Sequence, residues 1–127
     1  MSLKISTSKI DQWTLVFIDG RVDAFNDKKT IQVFEDLRRS SESKIAVDLS
    51  KADFISLAFL RWLLSFSTAL RTVQGDLVLL NPAHSIRRQI EIFIGLSSFK
   101  VFETLEDLNM GLYLPRRSEF ESTQSAF

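Results

Sequence analysis

Asp23, Asp48 and Asp53 are the residues whose type first suggests chemistry. Grouped carboxylates can exchange protons or hold a hard cation such as magnesium. Their settings favour another role: Asp23 sits in a Gly-Arg-Val-Asp turn and Asp48 lies at the end of an apolar alternation, where aspartate shapes the backbone through its own side chain. His84 is the sole histidine and cysteine is absent, so neither a zinc site nor a nucleophilic triad has its parts. No Gly-x-Gly-x-x-Gly follows a strand and no Gly-Lys-Ser or Gly-Lys-Thr occurs, which removes the usual dinucleotide and P-loop cradles. The reading is a non-enzyme with no cofactor and no metal.

Composition narrows the class further. At 127 residues, 45% hydrophobic and 25% charged, the chain has enough apolar material for one core. Lys plus Arg and Asp plus Glu both number 16, leaving no basic excess to draw the chain onto nucleic acid or an acidic membrane surface. Arg87-Arg88 and Arg116-Arg117 are short basic pairs that read as solvated surface. Residues 1 to 10 alternate polar and apolar types, unlike a signal peptide. No apolar run approaches the roughly 18 residues that membrane insertion needs. Together with the missing cysteines, this suits a cytoplasmic location.

The elements that must position the remaining residues follow from periodicity. Leu3 and Ile5 alternate with polar neighbours, Trp13 to Ile18 is almost wholly apolar, and Asp11-Gln12 between them is short enough only for an antiparallel hairpin. Gly20 breaks the second strand. Asn26 or Asp27 caps a helix with Ile31, Phe34 and Leu37 on one face, and Ile45, Val47 and Leu49 form a third strand closed by Asp48, Ser50 and Lys51. A long helix runs from Ser56 to about Val73, and Leu77 to Leu80 is a buried strand that stops at Asn81-Pro82. A third helix over Ser85 to Ile94 turns Ile86, Ile90 and Phe93 inward and stops at Gly95. Phe99, Val101 and Phe102 make the last strand, and Thr104 caps a final helix carrying Leu105 and Leu108. This order predicts an α/β domain over residues 1 to 114, with a mostly parallel sheet of about five strands and about four helices. Residues 115 to 127 read as a polar tail, disordered or the start of a linker.

The element order and several local signatures resemble the STAS domain of bacterial anti-sigma factor antagonists. The residues carrying the likeness are Gly20-Arg21-Val22-Asp23, Asp48-Leu49-Ser50, Phe54-Ile55, Gly75-Asp76-Leu77-Val78-Leu79, Asn81-Pro82, Gly95-Leu96 and Phe102-Glu103-Thr104-Leu105. Each is weak alone, and their agreement in register makes the resemblance. It implies a protein-protein interaction module in transcription regulation, whose partner is an anti-sigma factor with a kinase-like fold.

One departure stands out. After Phe-Ile or Phe-Met the family carries Asp-Ser-Ser-Gly-Leu, the second serine being phosphorylated by the partner kinase, whereas this chain reads Ser56-Leu57-Ala58-Phe59-Leu60. Ala58 stands at the phosphoacceptor position with a methyl group that accepts no phosphoryl, so the site is degenerate there. Ser56 replaces the carboxylate; it either inherits a phosphoacceptor role or caps the helix.

In the long helix, Leu60, Leu63, Leu64, Ser67 and Leu70 share one sector, with Phe59, Trp62 and Phe66 on its flank. The apolar arc is about twice the ~100° that covering one sheet face requires. Either Phe59, Trp62 and Phe66 join Ser56, Leu57, Ala58 and Asp23 in a partner-binding surface, or neighbouring helices bury the three rings. Two other roles stay open: a structural or self-pairing STAS subunit of a larger signalling or transporter-associated assembly, working as a homodimer, and a STAS domain sensing a small ligand.

Overall fold

The computed structural model describes residues 2–111. β1 (Leu3–Ile10) and β2 (Trp13–Val22) pair antiparallel from Leu3↔Gly20 to Ile10↔Trp13. Their two-residue connection places Asp11 at φ +54°, a left-handed conformation that aspartate tolerates. From there strands and helices alternate: α1 (Asp27–Arg39), β3 (Lys44–Ile55), α2 (Leu57–Arg71), β4 (Asp76–Leu80), α3 (His84–Phe93), a 3-10 turn (Leu96–Ser98), β5 (Val101–Phe102) and α4 (Leu105–Met110). The sheet runs β1-β2-β3-β4-β5 in sequence order, with every pair after the first parallel. This is the mixed, mostly parallel five-stranded architecture with four helices that the periodicity predicts.

Sequential parallel strands joined by crossovers of one hand place successive helices on the same face. On that face Val16, Ile18, Val47, Leu49 and Leu79 of the sheet pack with Phe34 of α1, Leu60 and Leu63 of α2, and Ile86 and Ile90 of α3. A smaller cluster on the other face joins Leu15, Ala46, Val78, Leu80 and Phe102 to Leu108 of α4. The Thr104 Oγ1 accepts the Asp107 amide at 3.0 Å, so the predicted cap of α4 forms. Among the described residues, no helix is long and apolar enough to cross a membrane.

Two expectations need correction. β3 does not close at Asp48–Lys51 but continues to Ile55, because β2 also continues past Gly20 and keeps pairing with it through Arg21↔Phe54 and Val22↔Ile55. The turn-forming residues act inside the strand instead, the Asp48 carboxylate accepting from the Ser50 amide at 2.9 Å and its hydroxyl at 2.7 Å. Gly20 marks one of the register shifts there. It sits at φ +113°, and a Cβ would lie 2.3 Å from the Ser2 carbonyl oxygen, so a side chain has neither the backbone conformation nor the room.

The second correction concerns Phe93, which is 60% exposed and not turned inward. Ile86 and Ile90 continue at the same four-residue step to Ile94, which packs on the core, and Gly95 at φ +96° ends the helix there. Residues 115 to 127, read as a tail, lie outside the described residues.

Candidate functional site

The parallel ends of β2 and β3 bring two loops together. The Ser56 amide donates to the Val22 carbonyl at 2.9 Å, tying the last residue of β2 to the residue that opens α2. Ser56 is extended, at φ −64° and ψ 149°, and its Oγ accepts the Phe59 amide at 3.1 Å while its carbonyl accepts the Leu60 amide at 3.0 Å. This is helix capping, one of the two roles open to Ser56. Leu57 and Ala58 follow in the first turn; Ser56 and Leu57 are partly exposed and Ala58 is exposed.

Asp23 builds the adjoining loop. Its carboxylate accepts the Phe25 amide at 2.9 Å, its amide donates to Asn26 Oδ1 at 2.8 Å, and its carbonyl accepts the Asp27 amide at 2.9 Å. Asn26 Nδ2 donates back to the Arg21 carbonyl at 2.9 Å, so Asn26 braces the turn instead of capping α1 with its side chain. The Arg21 guanidinium lies 4.4 Å from the centre of the Phe54 ring, an interaction of a cation with an aromatic face that anchors the same corner. Asp48 is spent on Ser50, Asp53 is exposed, and among the described residues no three His, Cys, Asp or Glu side chains gather as a metal site would need.

The helix flank divides. Phe59 and Phe66 are 1% and 5% exposed, so the expectation that these rings are offered to a partner is corrected, while Trp62 stays partly exposed. The cause is Phe34, reaching across from α1. Its ring centre lies 6.1 Å from Phe59, 5.8 Å from Trp62 and 5.9 Å from Phe66, and Trp62 stacks between the two α2 phenylalanines at 5.9 and 4.9 Å. The surplus apolar arc of α2 is therefore covered from inside the molecule by a second helix.

Sequence reasoning missed Phe25, which is 99% exposed in the middle of the braced loop. Its signal was present: a large aromatic between Ala24 and Asn26, ahead of the α1 cap and outside the periodic face of that helix. The exposed pair Ile92 and Phe93 was missed because periodicity assigned Phe93 to the core.

Several solved structures share this fold. A Thermotoga maritima protein provisionally described as an anti-sigma factor antagonist superposes with a TM-score of 0.76 at 15% identity, covering 85% of this chain and 93% of that one. An anti-sigma factor antagonist from Mycobacterium paratuberculosis gives 0.73 at 18% identity, over 87% and 94% of the two chains. The unphosphorylated anti-sigma factor antagonist SpoIIAA gives 0.68 at 14% identity, over 87% and 100%. In sequence, BtrV of Bordetella bronchiseptica, also provisionally described as an anti-sigma factor antagonist, is 32% identical over 104 residues, which are 82% of this chain and 90% of that protein. The STAS domain model matches residues 4–108, and the chain belongs to the STAS domain family. Membership alongside such relatives supports a regulatory role exercised through protein contacts.

Proposed function

We propose that this chain is a non-catalytic interaction module of the anti-sigma factor antagonist type, docking on another protein through the start of α2 without a phosphorylation gate at position 58. The observation that carries this reading is the exposed Ala58 in the first turn of α2, beside the Asp23 loop. By resemblance this is the family's phosphoacceptor position, and its accessibility fits a place where a kinase and a partner would both reach.

A phosphate there would meet the positive end of the helix and reshape the docking surface. A methyl group leaves that surface constant. Ser56 is a poor substitute acceptor, being partly buried with its oxygen engaged by the Phe59 amide. The relatives' descriptions suggest the partner class: an anti-sigma factor, with a kinase-like fold by family resemblance, met in the cytoplasm.

The test is intact-mass measurement after incubation with the purified kinase-fold anti-sigma factors of the source organism and ATP. The wild-type mass is expected to stay unchanged, while Ala58→Ser gains one phosphoryl group. Phosphate on wild-type Ser56 would overturn the ungated reading, and an unmodified Ala58→Ser would overturn the assignment of position 58.

A further inference from the structure

The second face of the sheet is only partly covered. α4 has six residues, of which only Leu108 is buried among those described, so Trp13 at the margin of the cluster it caps stays partly exposed. A cavity of about 320 Å³ opens there. Val78, Phe102 and Leu108, at 1%, 4% and 5% exposure, give it apolar walls beside Trp13. Lys44, Asp76 and Lys100 line it as well, Lys44 Nζ donating to Gln12 Oε1 at 3.0 Å and Lys100 Nζ lying 3.1 Å from Asp76 Oδ2. The cavity therefore combines apolar walls with a polar edge. Gly111 belongs to the same lining: it ends α4 at φ +74°, its amide donating to the Leu108 carbonyl at 3.2 Å, and the chain runs on from there. The next three residues are Leu112, Tyr113 and Leu114, before Pro115, Arg116 and Arg117 turn the composition polar.

We infer that the Leu112-Tyr113-Leu114 segment docks on this cavity from within the same chain, with the Tyr113 ring filling it. Covalent connection supplies the proximity, because Tyr113 lies within about 7 Å of Gly111 whatever path the chain takes. A segment tethered so closely is present at an effective concentration of about the millimolar range or above, which a separate molecule must match from solution.

The chemistry of the cavity matches a tyrosine. An aromatic body with one polar end suits a place that is apolar on one side and polar on the other. Trp13 and Phe102 offer the ring its neighbours, and the phenolic hydroxyl, donor and acceptor at once, answers the Lys44 and Asp76 side. Both lysines already have protein partners in Gln12 and Asp76, so the cavity makes no call on a charged ligand. The apolar run also stops at residue 114, the boundary that composition sets for the domain.

The experiment uses the full chain, in which Tyr113 is the sole tyrosine, carrying Trp62→Phe so that Trp13 is the one tryptophan. Nuclear Overhauser contacts between the Tyr113 ring and the Trp13 indole are expected in this parent. Tyr113→Ser is expected to raise the acrylamide quenching constant of Trp13 about twofold by uncovering the indole, while Phe120→Ser, an aromatic loss farther along the chain, should match the parent. Thermal melts of each variant verify folding. Missing ring-to-ring contacts, quenching unmoved by Tyr113→Ser, or an equal rise in both variants would each overturn the inference. Contacts that vanish and quenching that rises on dilution would make a second copy of the chain the occupant, and would overturn it too.

Discussion

The Ser56 hydroxyl oxygen accepts the Phe59 amide N–H at 3.1 Å, so the one hydroxyl beside position 58 holds the first turn of α2 in place. Removing it with Ser56→Ala is expected to cost about 1 kcal/mol of stability. Ser56→Asp, which keeps an acceptor at the cap, should retain most of it. Urea denaturation measures both, and equal midpoints for Ser56→Ala and wild type would show that the cap contributes nothing.

Phe34 is fully buried and touches all three α2 rings. Truncation to alanine leaves a cavity between α1 and α2 and is expected to destabilise the fold by about 3–5 kcal/mol. A milder Phe34→Leu change, made in a Trp13→Phe background so that Trp62 is the single tryptophan, should raise the acrylamide quenching of Trp62. Quenching that stays at the parent level would mean that another group shields the indole.

Glu42 accepts hydrogen bonds from Lys9 Nζ at 2.5 Å and Thr14 Oγ1 at 2.9 Å. The Lys9 bond first, then the Thr14 bond, holds its carboxyl below the usual glutamate range. A carboxyl depressed in the folded state adds stability that is complete above the ordinary glutamate range and is lost as pH falls through the depressed value. Glu42→Gln should therefore flatten part of the acid-side decline in melting temperature between pH about 6 and about 3. Parallel curves for the two proteins would refute this.

The sheet and helices were legible because each strand is bounded by a turn residue and each helix carries a regular apolar face. Their ends were harder. Asp48 and Ser50 carry the same local hydrogen bonds whether a strand stops or bends, and only the continued pairing of β2 beyond Gly20 decides that β3 runs on to Ile55. At the site, a single sequence was enough to put Ser56 and Ala58 at the start of the long helix, where the structure has them. It could not settle Phe59 and Phe66, because the apolar arc of one helix does not reveal that Phe34 of another lies across it. Phe93 misled for a related reason, periodicity fixing the face only to about one residue near a helix end.

The sequential strand order also bears on how the chain assembles its fold. Each strand pairs with the one made just before it, so the sheet can be laid down from one edge to the other during synthesis. The corner beside Ala58 draws on three successive crossovers and is closed last, when Gln89 reaches the Ile55 carbonyl. A nascent chain paused after β4 would carry four of the five strands and still lack the α3 hydrogen bond that ties Gln89 to the end of β3.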